Sequence, residues 1–311
     1  MDLKKAHKNF IYSPLLLVVV ILFFIAVRFV TGDWKSPVFW SITVIHIVLA
    51  LFLLHLNTTF VFIRKRTLLP AFFYLLFTGT NPLCFYSLES ALSALIIALA
   101  FFFLFATHQK ADTQLYAFDI SLLLTVGSFI WGPLLLFFPL FWYGMYLFKS
   151  LNLRTFFAGV AGFLMIYLFL FTWSVYRDDL SLFVRSFPHP VDFGKLQLVN
   201  FSVKKGVLSG FLAFLFILSG VKIFVSGSME KMKAVSVLGY MYLFTLLVFA
   251  AFVFQDKWES EWLSVLYIPA SFLMSYFFTF SQKKWVTRLF FFTIVFFAGM
   301  LSWEYLHVLI G

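Results

Sequence analysis

Thr78-Gly79-Thr80-Asn81-Pro82 interrupts an apolar run that opens at residue 68. Whether that run crosses a bilayer decides on which side of the membrane every later loop lies. The run is short, about 16 residues, against the roughly 17–25 that a spanning helix needs. Gly and Pro within it mark a break in a helix.

The rest of the chain makes the bilayer the relevant solvent. Of its residues 63% are hydrophobic and only 12% are charged, where a soluble domain carries about 25% charged residues. Forty-eight phenylalanines and a mean hydropathy of +0.99 agree. A water-soluble fold of this length cannot hide that much apolar surface. The net charge of +10 does not point to nucleic acid, because the basic residues are scattered through short loops and form no stripe. Cys84 is the single cysteine, so no internal disulfide exists and the redox compartment is not legible. Lys4, Lys5 and Lys8 precede an apolar run from Pro14, like a signal peptide. No small-x-small cleavage site follows, and the run closes on Arg28-Phe29-Val30, which reads as a retained first span.

Apolar runs place spans near 11–30, 38–56, 68–83, 90–106, 115–131, 133–148, 155–175, 206–224, 237–254, 262–280 and 289–308. Backbone groups in lipid must bond within their own segment, which predicts helices. Runs such as Phe101-Phe102-Phe103 are apolar on all faces and lack the alternation of a membrane barrel. With eleven spans, fifteen basic residues lie on one side and eight on the other. If the 68–83 run fails to cross, the split becomes twelve to eleven. The positive-inside rule therefore favours an all-α, polytopic bundle of about eleven spans, N-terminus cytoplasmic and C-terminus outside. This predicts one integral membrane domain over 1–311 in a cell inner membrane. The tryptophans fall near span ends, as an interfacial belt does. Only one span is visibly broken, at Gly79–Pro82.

The longest polar interval, 176–205, falls on the outer side of this topology. It contains Arg177-Asp178-Asp179, a segment from Ser181 to Phe187 with apolar residues at helical spacing, and Pro188-His189-Pro190. Two adjacent acids beside an arginine make a poor cation cage and read as a solvated loop start. The six histidines form no metal-site spacing, and His46 and His55 lie on opposite sides of a helix. Asp119 and Glu304 fall inside spans but near helix ends, where they reach water or the helix dipole. No phosphate-cradling Gly-rich loop, nucleophile elbow or metalloprotease helix is present.

From Leu115 to Tyr176 the cadence is Phe118-Asp119 through Gly127, Trp131-Gly132-Pro133, a further span, Lys149 to Arg154, and a span closing at Trp173-Ser174-Val175-Tyr176. It resembles the central helices of C-type glycosyltransferases, which take sugars from polyprenyl-phosphate carriers. Arg66-Thr67-Leu68-Leu69-Pro70, Asn81-Pro82 and Tyr86 to Ser90 are similar to their preceding helix pair and outer turn, so the likeness covers about 60–176. The whole chain also resembles a family of polytopic inner-membrane proteins of Bacteroidota, a likeness that implies no activity. The glycosyltransferase resemblance implies a polyprenyl-phosphate-linked donor and a catalytic acid in a sizeable first outer loop, and the residues themselves show no metal motif. Here that loop is only Thr31 to Pro37.

Sugar transfer needs a base for the acceptor proton and cations for the phosphate leaving group. Asp33 and Glu89 are the candidate bases. Arg28, Arg177, Arg185, Lys204 and Lys205 are the candidate phosphate ligands. All seven also read as interfacial charges that snorkel to water. Three functions stay open: a glycosyltransferase-like protein handling a lipid-linked, phosphate-bearing glycan at the outer leaflet; a secondary transporter or lipid translocator; and a non-catalytic subunit of an envelope complex. Membrane lipids and a lipid-linked sugar are the expected partners, and nucleic acid is not.

Overall fold

A computed structural model describes residues 15–31, 34–63, 67–85, 87–108, 110, 112–185, 203–225, 232–255, 258–281 and 284–310. Their regular structure is entirely helical. The α-helices are α1 (Leu15–Thr31), α2 (Pro37–Phe60), α3 (Leu69–Gly79), α4 (Leu88–Ala106), α5 (Gln114–Ser128), α6 (Phe138–Leu147) and α7 (Leu153–Tyr176). They continue with α8 (Leu180–Arg185), α9 (Val203–Val225), α10 (Met232–Phe254), α11 (Glu259–Phe280) and α12 (Lys284–Ile310). Two 3-10 turns, Pro82–Phe85 and Gly132–Phe137, lead into α4 and α6.

Each of the eleven apolar runs coincides with one of these helices. Among the described residues seven are long and apolar enough to cross a membrane: α2, α4, α7, α9, α10, α11 and α12. The chain is thus a multi-pass α-helical membrane protein by length and composition. α1, α3 and the 132–147 segment are apolar but shorter.

The helices gather into two compact units, one of residues 1–91 and 198–311, the other of residues 92–197. The boundary falls within α4, so the 60–176 range of the glycosyltransferase-like cadence includes part of each.

In the first unit α11 is the axis. Every residue from Glu261 to Thr279 is buried, although α11 is the least apolar of the seven long helices. Lipid solvates apolar side chains, so the helix with the most hydroxyls belongs inside. α3, α9, α10 and α12 all pack on it. α3 is buried along its whole length and runs antiparallel to α11. Phe73 stacks on Phe278, and Phe77 meets Tyr267. At eleven residues α3 is about 16 Å long, half a hydrocarbon core. The chain then continues beside α11 without a regular helix, and Ser87 reaches Glu261. From Phe278 to Glu261 the path covers about 25 Å of α11.

The second unit is built on α5 against α7. The buried residues of α7 are Thr155, Gly159, Gly162, Tyr167 and Ser174, while Phe157, Leu164, Leu168 and Phe169 are exposed. Small residues let two backbones approach in lipid. A Cβ on Gly162 would stand 2.5 Å from the Phe118 carbonyl oxygen, and one on Gly159 3.1 Å from Ser121 Oγ. A hydroxyl cluster ties the loops at one end: Thr113 Oγ1 donates to the Ser150 carbonyl at 2.9 Å and pairs with Thr155 Oγ1 at 2.9 Å. Ser150 Oγ donates to Thr107 Oγ1 at 3.1 Å. Asn152 caps α7 by accepting from Thr155 N at 2.8 Å.

Sequence reading identifies one broken span; the structure has a second. After Ser128 the backbone leaves the helix and forms the Gly132–Phe137 turn. Trp131-Gly132-Pro133 marks the junction between two expected spans, and it is also where the chain unwinds. The tryptophans divide likewise. Trp34, Trp40, Trp173, Trp285 and Trp303 are exposed at helix ends, while Trp131 and Trp262 are buried.

Gly162→Ala is expected to destabilise the protein by about 1–3 kcal/mol, because a methyl group is driven into a backbone carbonyl. Gly239→Ala on α10, where the added Cβ meets nothing within 4 Å, should be neutral or stabilising by about 1 kcal/mol. Thermal unfolding of the detergent-solubilised variants checks both. Equal melting temperatures would contradict the close packing of α5 on α7.

Candidate functional site

The strongest concentration of buried polar groups in the first unit surrounds the irregular segment from Thr80 to Ser87. Its backbone lacks an α-helical ladder, so groups that its 3-10 turn leaves over need partners from neighbouring helices. His46, fully buried on α2, supplies two. Its Nε2 lies 3.4 Å from the Cys84 carbonyl and its Nδ1 2.8 Å from the Tyr74 hydroxyl. A carbonyl only accepts, so Nε2 carries the proton and Tyr74 donates to Nδ1. The neutral imidazole is therefore fully used as a clamp between α2, α3 and the turn.

α11 supplies the opposite wall. Asn81 Nδ2 donates to the Tyr267 hydroxyl at 3.2 Å. Ser90 Oγ donates to the Cys84 carbonyl at 3.2 Å and pairs with Ser264 Oγ at 2.9 Å. Ser87 Oγ donates to Glu261 Oε1 at 3.0 Å, and Ser260 Oγ to Oε2 at 2.7 Å. Ser87 also caps α4, its Oγ accepting from Ser90 N at 3.1 Å. Glu261, Ser264 and Tyr267 stand three residues apart, on one face of α11, and bond Ser87, Ser90 and Asn81 respectively.

Arg28 closes the same end. It is 3% exposed. Its Nε donates to Thr43 Oγ1 at 3.1 Å and Nη2 to the Phe39 carbonyl at 3.2 Å. The guanidinium carbon lies 4.4 Å from the Phe39 ring centroid and 4.2 Å from that of Phe85. Two aromatic rings thus lie within cation–π range of the guanidinium. Arg28 braces α1, α2 and the Pro82–Phe85 turn.

The expected site residues fall as follows. Glu89 is exposed in the first turn of α4, two residues beyond Ser87. Lys204 is half-buried on α9 and within electrostatic range of Glu259. Lys205 is buried, with Nζ 5.0 Å from the Phe252 ring centroid. Arg28, Glu89, Lys204 and Lys205 therefore share one end of the first unit with Glu259 and Glu261. Arg177 belongs to the second unit, exposed, with its guanidinium 5.1 Å from the Trp173 ring centroid. Asp178 beside it adopts a left-handed φ of 52°. Asp179 Oδ1 accepts from Ser181 N at 3.0 Å at the start of α8. Asp33, the side chain of Arg185 and the stretch 186–202 lie outside the described residues, as does the side chain of Glu304. Asp119 is half-buried in the second turn of α5.

Sequence reading passed over Glu261, His46, Tyr74, Asn81, Tyr267, Ser90 and Ser264 as site residues. For α11 a signal was there. Glu261, Ser264, Tyr267, Ser271 and Ser275 put a polar stripe at helical spacing on an apolar segment. For His46 there was none, since its partners lie 28 and 38 residues away. No protein-family model, curated protein or solved structure matches the chain.

Glu261→Ala leaves the Ser87 and Ser260 hydroxyls without their acceptor. A loss of about 1–3 kcal/mol is expected, with a smaller loss for Glu261→Gln, which keeps one acceptor oxygen. Thermal unfolding reads the difference, and an alanine variant as stable as wild type would contradict the clamp.

Proposed function

We propose that this is a multi-pass inner-membrane protein that binds the phosphate-bearing headgroup of a lipid-linked glycan at the outer leaflet. In this reading it has about eleven spans, a cytoplasmic N-terminus, an outer C-terminus and a glycosyltransferase-like core. The observation that carries the reading is that Lys204 lies within electrostatic range of Glu259, at the end of the first unit where Arg28, Glu89, Lys205 and Glu261 also stand near helix termini. Cations there suit a phosphate, and a carboxylate there suits an acceptor proton. The positive-inside tally puts that end outside the cell. The path of α3 and the Thr80–Ser87 segment beside α11 supports counting it as a crossing. Lys204 is the foremost phosphate ligand, because it is half-buried in the first turn of α9. Glu89, exposed beside the clamp, is the foremost base.

A second reading, transport or lipid translocation, is favoured by the two interrupted segments, Gly79–Phe85 and Ser128–Phe137. Paired interruptions in corresponding halves are the usual mark of a transport site in the membrane. In both, a short helix ends at Gly-Thr or Gly-Ser, and a 3-10 turn with proline among its first two residues follows. In the first, Tyr267 of the long α11 accepts from Asn81 at the break.

Purification with native lipid, followed by mass spectrometry, tests the first reading. Phosphate-bearing polyprenyl lipid should co-purify with wild type, enriched over bulk membrane. A Lys204→Gln, Lys205→Gln double variant should retain roughly tenfold less or lower, at about 1 kcal/mol per lysine. Glu89→Gln should keep the lipid. Wild-type protein carrying only bulk phospholipid would overturn the proposal.

A further inference from the structure

We propose that the interrupted C-terminal end of α3 binds a dehydrated alkali-metal cation. The argument starts from the carbonyls. A helix C-terminus leaves its last four without ladder donors, and here that end is buried. The Leu76 carbonyl accepts from Thr80 N at 3.1 Å and from Thr80 Oγ1 at 2.7 Å. The Phe77 carbonyl has Thr80 Oγ1 at 3.4 Å, and the Thr78 carbonyl accepts from Asn81 N at 3.2 Å.

The next two carbonyls, of Gly79 and Thr80, receive no hydrogen bond among the described residues. The reason lies in Asn81-Pro82. In a continuing helix Leu83 N would serve Gly79, but it donates to Asn81 Oδ1 at 3.2 Å. Cys84 N would serve Thr80, but it donates to the Asn81 carbonyl at 3.2 Å. Gly79 is buried and Thr80 is 3% exposed, where an acceptor without a donor is costly. The corresponding break in the second unit differs. There the Gly127 carbonyl takes both Ile130 N and Trp131 N at 2.9 Å.

Electrostatics favour a positive ligand. The end of α3 carries the negative pole of its dipole, and no basic residue occupies its last turn. Glu259 acts on Tyr267, and Glu259 and Glu261 both act on Cys84, so their field reaches the break from the α11 side. Arg28 acts on His46 from the α1 side and opposes them. The Tyr267 hydroxyl, fully buried and already accepting from Asn81, has a second lone pair to offer. These oxygens are neutral, which suits a monovalent cation better than a divalent one with its demand for carboxylates. Unwound carbonyls at a half-helix end are a recurrent way to hold sodium in a membrane.

The test is thermal unfolding of the full-length purified protein in sodium, potassium, lithium or choline chloride at constant ionic strength. Wild type should gain several degrees in Tm with one alkali cation, saturably, relative to choline. Tyr267→Phe should weaken that gain at least several-fold, and Tyr167→Phe should leave it unchanged. Asn81→Asp adds a carboxylate at the break and should lower the half-saturating concentration. It keeps the proposal testable if Tyr267→Phe does not fold. Identical unfolding in all four salts would overturn the proposal and leave the two carbonyls to ordered water. So would an alkali-specific gain that neither the Tyr267 nor the Asn81 variant alters. Either failure is distinct from failure to recover a phosphate-bearing lipid.

Discussion

A stretch of polypeptide inside a membrane has no water to bond its peptide groups, so a stretch that is not helical must be bonded by the protein around it. The segment from Thr80 to Ser87 is not α-helical, and much of the first unit is arranged to bond its polar side chains and the Cys84 carbonyl. His46 from α2 and Ser90 from α4 bond the Cys84 carbonyl, and Tyr267 and Glu261 from α11 bond the side chains of Asn81 and Ser87. Arg28 from α1 covers the ring of Phe85. This explains why the least apolar long helix is the most buried. α11 carries hydroxyls and a carboxylate because its neighbour is an irregular chain, and lipid would accept none of them.

The second unit solves a different problem with small residues. α7 faces lipid with phenylalanine and leucine and faces α5 with Gly159 and Gly162. In lipid, apolar surface gives no preference between tails and a neighbouring helix. Close van der Waals fit and a few hydroxyl bonds then decide which face turns inward. Large side chains outside and small or polar ones inside is the reverse of a soluble helix. Its interrupted segment is closed by its own backbone, since Gly127 takes two donors. It therefore needs less help from side chains than the Thr80–Ser87 segment.

Much of this architecture was legible in the sequence. Apolar runs of membrane length located the helices closely: the run at 38–56 became Pro37–Phe60 and the run at 262–280 became Glu259–Phe280. Length and hydropathy are local properties, and a helix in lipid depends on little else. Burial was less legible, because the two signals that set it act against hydropathy. α7 is more apolar than α11 yet far less buried. The polar stripe on α11 and the glycine pair on α7 were the readable clues. Of the expected site residues, Arg28, Glu89, Lys204 and Lys205 each stand near a helix terminus in the first unit. The contacts of His46 were not readable. They join residues far apart in sequence through a backbone carbonyl, and a carbonyl carries no sequence signature.

The central claim is that the irregular segment around Cys84 is packed within the protein, and not open to bulk water or substrate. Cys84, the single cysteine, lies in it, is fully buried and has its carbonyl clamped by His46 and Ser90. A thiol held away from solvent in such a place is inert to alkylation. Labelling the wild-type protein with a small membrane-permeant maleimide tests this directly, because no other thiol competes. The account predicts almost no label in the native protein and stoichiometric label after denaturation in detergent. Rapid labelling of the native protein would show an open segment and contradict it.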